Sequence, residues 1–435
     1  MELVNTVVPL TMLAVLLLMG MPIGFALLLT GFVGLTMITG FDATLNYLGL
    51  HAFSSIARFV FTPIPLFVLM GDILAVSGVG SDMFDVTLRW FGKFRGGLAV
   101  ASIIACAIFA SMCGLSIAGA ATIGLVAIPE MLKRGYDKGL ATGSVACAGT
   151  LGILIPPSLP FIMYGVIAEQ SIGQLFIAGI VPGILLTVLF STYVLIVAWR
   201  RPALAPAISG TVTWKDRFWS LRKLWSAIVL IILVLGSIYG GIATPTEAAG
   251  VGAAGAFGVA LLYRSLSLKK VVQIVRSTAE LVGFIMILVV GAMLFSYYLT
   301  ITGMTQGVSR WMASLAVAPW VIIVGINIIL LILGCFLDST AIILITTPLF
   351  LPIIRSLGFD PIWYGVILII NIEIAFITPP VGMNLYVISN IARGVSLETI
   401  LRGSIPFLAL ALLAIALIAF FPQIALWLPS TMTTR

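Results

Sequence analysis

The sequence predicts an all-α polytopic membrane protein made of inverted-topology repeats, with two re-entrant helical hairpins and two broken helices. Three observations carry this prediction: a very apolar composition, apolar segments of membrane-spanning length, and unusual residues that recur after 223 positions. Of 435 residues, 61% are hydrophobic and 9% are charged, and the mean hydropathy is +1.23. Soluble domains carry about 25% charged residues, so the solvent around this chain must be lipid.

Cysteine, histidine and charge narrow the possible functions. The four cysteines lie in apolar stretches without metal-ligand spacing, and His51 is the single histidine. This argues against a haem, copper or zinc site, and against a metal-dependent or redox enzyme, so we expect no cofactor. The net charge of +7 is typical of basic loops that fix membrane topology, and we expect no nucleic-acid partner. The apolar N-terminal segment lacks a preceding basic region, so we interpret it as retained membrane structure.

Spans and interrupted apolar stretches alternate along the chain. A span needs about 20 apolar residues, and eight segments qualify: 4–20, 23–40, 58–78, 176–199, 225–242, 245–263, 279–302 and 404–428. Four further stretches are broken by Gly, Pro and polar residues: 96–134, 138–170, 317–355 and 360–393. Irregular backbone at membrane depth survives only beside protein or a water-filled cavity, so we expect the functional residues there.

Residues 200–224 form a basic linker between two halves, residues 1–199 and 225–435. Its excess of Lys and Arg predicts a cytoplasmic location. Aromatic residues alternate with the basic ones, which favours an amphipathic helix in the membrane interface, with a plain basic loop as the alternative. Further basic clusters flank the segment 96–134, so the chain enters and leaves there on one side. A re-entrant hairpin 96–134 is the simplest account, although two full spans would also return to that side.

An offset of 223 residues aligns the two halves without gaps. Ser116 falls on Ser339, and Pro156-Pro157 falls on Pro379-Pro380. The other matches are Pro22 with Pro245, Pro129 with Pro352, Gly135 with Gly358 and Asp137 with Asp360. The second hairpin, 317–355, lacks the basic flanks of the first, so the two copies should face opposite sides. Inverted repeats with matching broken helices, 138–170 and 360–393, are typical of secondary transporters that bind substrate near the midplane.

The helix breaks are the predicted binding sites. Each Pro-Pro pair leaves carbonyls that can coordinate a dehydrated cation, and the half-helix that follows it favours an anion at its N-terminus. Nearby hydroxyls and amides suit sodium. The predicted cation-binding residues are Gly114, Ser116, Gly149, Thr150, Pro156, Gly334, Asp338, Ser339, Thr378, Pro379 and Asn384. The predicted substrate-binding residues are Ser116, Pro157, Ser158, Ser339, Thr340 and Pro380.

Two carboxylates interrupt apolar runs in the second half. Asp338 lies at the expected hairpin tip, and an intramembrane carboxylate is a functional candidate by default. We group it with Thr378 and Asn384 in one sodium site, and we expect the first hairpin tip and first break to form the other. Glu373 could be a proton-linked group or a structural hydrogen-bond partner.

Four motifs around the tips and breaks form a recognisable set. They are the segment Gly114–Asp137, the run Gly149–Ser158 with its Pro-Pro pair, Phe336-Leu-Asp-Ser-Thr-Ala-Ile342, and Thr378-Pro-Pro-Val-Gly-Met-Asn-Leu385. Together they resemble the DctM-type large membrane subunit of TRAP (tripartite ATP-independent periplasmic) transporters, over nearly the whole chain. One departure is the first tip: the family usually has Ser-Gly-Ser-Ser there, and here two of those hydroxyls are missing.

The resemblance implies a function and a set of partners. It implies sodium-driven uptake of a small organic acid, of sialic acid or dicarboxylate type, across the bacterial inner membrane. The mechanism would be of the elevator type known in the ion-transporter superfamily. The implied partners are a small four-helix membrane subunit and a periplasmic substrate-binding protein. The alternative is a stand-alone sodium–dicarboxylate symporter, which would not co-purify with a second small membrane protein.

Overall fold

The computed structural model describes residues 2–207, 213–304, 306–307, 310 and 317–432. Every regular element in these ranges is helical, and nine of their helices are long and apolar enough to cross a membrane. The predicted all-α polytopic fold class is therefore confirmed.

The helices follow the order of the sequence prediction. The first half contains α1 (Glu2–Leu18), α2 (Ile23–Thr39), α3 (Phe41–Ile56), α4 (Pro63–Ser77), α5 (Val79–Phe91), α6 (Gly97–Cys113), α7 (Ser116–Lys133), α8 (Lys138–Leu154), α9 (Leu159–Ala168) and α10 (Ile172–Arg200). The linker carries α11 (Trp214–Ser220). The second half contains α12 (Trp225–Ile231), which continues through a π-helical turn into α13 (Ser237–Tyr239). It goes on with α14 (Pro245–Leu262), α15 (Leu268–Ile301), α16 (Pro319–Gly334), α17 (Ser339–Ser356), α18 (Pro361–Phe376), α19 (Met383–Ile391), α20 (Leu397–Phe420) and α21 (Gln423–Ser430).

Residues that align at the 223-residue offset take the same structural roles. Helices α7 and α17 coincide at both ends under this offset. Gly135 and Gly358 each adopt a positive φ just after a hairpin. Asp137 and Asp360 then cap α8 and α18: Asp137 Oδ1 accepts from Leu140 N at 2.9 Å, and Asp360 Oδ1 accepts from Ile362 N at 2.7 Å. The recurring Gly-x-Asp is therefore a turn followed by a helix cap.

The first hairpin, α6 and α7, begins and ends on one face of the protein. The amide of Gly96 donates to Ala205 O at 3.0 Å, and the amide of Asp137 donates to Leu204 O at 2.9 Å. Two adjacent linker residues therefore hold both ends of the hairpin, on what we call the linker face. The tip at Gly114 packs against Pro157, part-way along the next crossing. This geometry is a re-entrant hairpin and not a pair of full spans.

The two broken helices, α8–α9 and α18–α19, run in opposite directions. The first begins on the linker face and ends near Ala168. At that opposite face Tyr164 Oη donates to Pro361 O at 2.6 Å, so the second broken helix begins where the first ends. The second hairpin, α16 and α17, ends on the same opposite face, because Arg355 donates to Ala168 O at 3.1 Å. The two copies are thus inverted relative to each other.

The broken helices form the core of the fold. Every residue of α8 from Gly139 to Leu154 is buried, and so is every residue of α18 from Ile362 to Phe376. They contact each other and are surrounded by the hairpins, α10 and α20, which together we call the core group. A flanking group packs beside it, with α2 lying along α15 and α4 along α14.

Two predicted spans differ from the structure, and one helix was not predicted. The span 58–78 is confirmed by the apolar crossing Phe59–Ser77. The helix α3 that precedes it was not predicted, and Tyr47 of α3 stacks on Tyr297 of α15 at 4.0 Å. Polar residues scattered through α3 leave it without a long apolar run, which is why it was missed. The continuous span 404–428 is wrong, because α20 ends at Phe420 and α21 begins at Gln423. The span 279–302 begins earlier, at Leu268.

The linker contains a short helix where the sequence predicts an amphipathic one. Thr213 and Asp216 form a capping box at the start of α11, and its aromatic side chains, Trp214, Phe218 and Trp219, are exposed. Just beyond, Lys223 Nζ lies 3.1 Å from Asp82 Oδ1 and 2.9 Å from Asp85 Oδ2 of α5. The linker is thereby fastened to α5 at the linker face, while its position in the membrane interface stays a prediction.

Candidate ion and substrate site at the hairpin tips

The first hairpin tip is seated on the first helix break. Gly114 has φ +69°, and a Cβ there would collide with the carbonyl oxygen of Pro157. A Cβ on Gly152 would lie 2.9 Å from Leu115 O, and one on Gly149 would lie 2.5 Å from the Cβ of Ala120. Small residues therefore let the backbone of the tip approach the backbone of the break, so that carbonyl groups of both come together.

Asn384 joins this first cluster from the other half of the chain. Its Nδ2 donates to Ser116 Oγ at 2.9 Å and to Ala146 O at 3.0 Å. Sequence reasoning grouped Asn384 with Asp338, but the structure places its amide on the first hairpin tip. The start of α19 thereby contacts both the first hairpin and α8.

The predicted hydroxyls at the first break are buried and bonded locally. Thr150 Oγ1 donates to Cys147 O at 2.7 Å. Ser158 Oγ donates to Ile153 O and caps α9. Their remaining lone pairs, together with the carbonyls beside Pro156, are the oxygen ligands that the break can offer.

The second hairpin tip contacts the second break in the same way. A Cβ on Gly334 would lie 2.7 Å from the Cβ of Ala375, and the amide of Val381 donates to Cys335 O at 3.3 Å. Thr378 Oγ1 donates to Ile374 O at 2.7 Å. Tip and break therefore form a second cluster, built from the second half of the chain.

Asp338 lies in this second cluster. Its Oδ2 accepts from the amide of Thr340 at 3.0 Å and caps α17. Its Oδ1 is buried and has no hydrogen-bond partner among the described residues. A cavity of about 10 Å³ lies beside it, lined by Leu337, Asp338, Ser339, Ala375, Phe376, Val381 and Met383. That volume suits one water-sized species.

The two breaks differ in exposure. Pro156 and Pro157 are buried, whereas Pro379 and Pro380 are exposed. Tyr386 Oη reaches back to Pro380 O at 3.2 Å. The structure therefore shows one break enclosed in protein and the other open to its surroundings.

Four helices begin at the tips and breaks: α7 at Ser116, α9 at Leu159, α17 at Ser339 and α19 at Met383. Unpaired amides at a helix N-terminus carry partial positive charge and favour anions. Two of these termini come from each half, so each cluster brings backbone carbonyls together with helix N-termini.

The sequence analysis did not predict a hydrogen-bonded pair of asparagines in the second half. Asn371 Nδ2 donates to Asn327 Oδ1 at 2.6 Å, which ties α18 to the first helix of the second hairpin. The signal was present, since both are amides within apolar runs. Over the described residues, no group of three His, Cys, Asp or Glu side chains could hold a metal ion.

Known structures share the fold. The Neisseria gonorrhoeae efflux pump MtrF matches with a TM-score of 0.66 at 14% identity, over 95% of this chain and 94% of that one. At this identity the likeness concerns the fold alone.

Sequence comparison is more specific. Residues 10–424 match the family described as tripartite ATP-independent periplasmic transporter, DctM component. The C4-dicarboxylate TRAP transporter large permease protein DctM of Pseudomonas aeruginosa is 37% identical, over 91% of this chain and 92% of its own. The sialic acid TRAP transporter large permease protein SiaM of Vibrio cholerae is 31% identical, over 95% and 96%. This chain belongs to the DctM family of large TRAP transporter permeases, multi-pass proteins of the bacterial inner membrane.

Proposed function

We propose that this protein carries out sodium-coupled secondary uptake of a small organic acid. The observation that supports this most directly is the pairing of each hairpin tip with a helix break, in two clusters from opposite faces. Such breaks supply carbonyls to a cation and helix N-termini to an anion at the same depth. An anionic substrate and a small cation are the pair that this chemistry fits.

The sodium ions would be held by oxygen atoms of the two clusters. In the first, we assign Gly114, Ser116, Gly149, Thr150, Pro156 and Asn384 to the cation. In the second, we assign Gly334, Asp338, Ser339, Thr378 and Pro379. The unpaired Oδ1 of Asp338 beside its small cavity favours a bound cation there. Ser116, Pro157, Ser158, Ser339, Thr340 and Pro380 would face the substrate between the clusters.

Family membership implies a small membrane subunit and a periplasmic binding protein as partners. We propose that the binding protein delivers a C4-dicarboxylate or a sialic acid, the substrates named for the relatives above. We also propose an elevator movement, in which the core group slides past the flanking group. The separate packing of α2 on α15 and of α4 on α14 supports a static flanking group.

Reconstitution of the three-component complex tests this function. Uptake of labelled succinate and sialic acid is measured with inward sodium, inward potassium and no gradient. We expect one acid to accumulate only with sodium and only with the binding protein present. Equal uptake in potassium would contradict sodium coupling, and uptake without either partner would favour the stand-alone symporter.

A further inference from the structure

Glu373 is a buried carboxyl group that the proposed sodium and substrate sites do not use. It lies in α18, six residues before Pro379, with an exposed fraction of 1%. Neither of its carboxyl oxygens has a hydrogen-bond partner in the part of the chain that the structure describes. A structural carboxyl group would be bonded, because an unpaired buried polar group costs about 1–3 kcal/mol. Glu373 therefore does not stabilise the fold through a hydrogen bond between described residues.

Glu373 lies in the fully buried stretch of α18, the helix of the second half that packs against α8. At the 223-residue offset Glu373 falls on Thr150, whose hydroxyl donates to Cys147 O one turn earlier in α8. The neighbouring carbonyl, Ala146 O, accepts the amide of Asn384 that also bonds Ser116. Glu373 thus lies in the buried core group and is not among the hydrogen-bonded residues of the first cluster.

The charged side chains on the surrounding helices form bonds with other groups or lie at helix ends. Glu398 and Arg402 of α20 pair with each other, and Arg355 of α17 donates to Ala168 O. The hydroxyls of Tyr164 in α9 and Tyr386 in α19 donate to backbone carbonyls. Lys138 and Arg200 lie at the ends of α8 and α10. No cation among these pairs with Glu373.

The surroundings of the Glu373 carboxyl group favour a proton over a sodium ion as its ligand. A sodium ion needs several oxygen atoms, and this carboxyl group has no described oxygen partner. A proton needs only the carboxyl group itself, and it removes the charge that would be costly to bury in a membrane protein. We propose that Glu373 is a proton-binding site of the core group, which binds and releases one proton in each transport cycle. This deepens the proposed function and rests on it, since it adds a proton to the sodium-coupled cycle.

Infrared spectroscopy of the full chain in lipid nanodiscs tests the site without any substrate. We expect a protonated-carboxyl band that disappears as the pH rises, that is absent in Glu373→Gln and that persists in Asp338→Asn. The Asp338 variant is the matched control, because Asp338 is the other intramembrane carboxyl at the tips and breaks. An unchanged titrating band in Glu373→Gln would overturn the proposal, and so would a Glu373 band that persists at every pH.

Transport by the reconstituted complex tests the coupling. With a pH-sensitive dye inside the vesicles, acid uptake by the native complex should move protons. Glu373→Gln should lose this proton movement, and Glu373→Asp should retain it. Sodium-driven uptake without proton movement would overturn this inference and leave the proposed function intact. If no acid is taken up with sodium, the proposed function fails, and the infrared result alone decides whether Glu373 binds a proton.

Discussion

The side-chain nitrogen of Asn384 lies 2.9 Å from the hydroxyl oxygen of Ser116, although 268 residues separate them along the chain. Ser116 opens the second helix of the first hairpin, and Asn384 lies in the first turn of α19. The first cluster is therefore completed by a residue from the second half. This hydrogen bond ties the two halves together at the hairpin tip.

Substitutions of Ser116 and Asn384 should have non-additive effects on the free energy of unfolding. Ser116→Ala removes one of the two bonds that the Asn384 amide donates, and Asn384→Ala leaves the buried Ser116 hydroxyl without its side-chain partner. The loss of a partner by a buried polar group costs about 1–3 kcal/mol of folding free energy. The double variant should cost less than the sum. Thermal unfolding and the sodium concentration for half-maximal uptake are the two measurements. Ser102→Ala, whose hydroxyl bonds only its own helix, is the control, and strict additivity would show that the bond is unimportant.

Asp338→Asn should weaken sodium activation while the protein stays folded and membrane-inserted. The variant keeps an oxygen able to cap α17 but removes the charge beside the small cavity. Asp360→Asn is the matched control, because Asp360 also caps a helix but lies at the opposite face. Sodium dependence of uptake is the measurement. Identical sodium activation in the two variants would remove Asp338 from the cation site.

The topology makes a prediction about labelling from outside the cell. The basic linker should be cytoplasmic, and both chain ends should be periplasmic. Tyr298 Oη bonds Asn5 O, and Tyr239 Oη contacts Thr431 Oγ1, so both ends lie on the face opposite the linker. In a cysteine-free background, an impermeant maleimide should label a cysteine at Thr431 and not one at Lys215. The reverse pattern would invert the orientation.

An elevator movement should change the crosslinking partner of Cys113. In this structure a side chain at Gly71 of α4 would lie 3.0 Å from Cys113 Sγ. After vertical displacement, Cys113 should meet Ile64 or Ser77, which lie about 9–11 Å from Gly71 along α4. Single cysteines at these three positions, in a chain that keeps only native Cys113, are crosslinked with and without sodium. Crosslinking confined to position 71 in every condition would argue for rocking at fixed depth.

Packing of α8 on α20 should be intolerant of one added methyl group. A Cβ on Gly403 would collide with the carbonyl of Gly139, and such overpacking costs about 1–3 kcal/mol. Gly403→Ala should therefore lower the melting temperature. Gly258→Ala in α14 is the control, since nothing lies within 4 Å of its Cβ, and its effect should stay within about 1 kcal/mol. Equal melting temperatures for both variants would contradict this contact.

Much of the architecture could be predicted because membrane constraints are strict. Paired prolines, Gly-x-Asp turns and basic flanks recur at one offset, and each has a structural reason that the helix ends now make plain. The first hairpin could be placed because its flanking charges reveal a shared face. What sequence could not decide was whether the hairpin was re-entrant, since that depends on Gly114 meeting Pro157.

Contacts between the halves lay beyond sequence reasoning. Asn384 was assigned to the nearest motif in the chain, but its partner came from the other hairpin. Helix α3 was missed because polar residues such as Asp42 and Asn46 hide it from a hydropathy window, although it packs against α2 and α15. Both errors have one cause. A hydropathy window or a sequence motif describes a single segment, whereas the Asn384 contact and the packing of α3 depend on other segments of the chain.

Leu204 and Ala205 of the linker accept backbone hydrogen bonds from the two ends of the first hairpin. These bonds make the two halves of the chain structurally unequal. The linker between the two copies stabilises the first hairpin only, because Arg355 of the second hairpin donates instead to Ala168 O. The two halves are therefore not interchangeable, although their residues align at one offset. Inserting a reporter domain between Arg201 and Leu204 should disrupt the protein more than the exposed position of this loop suggests.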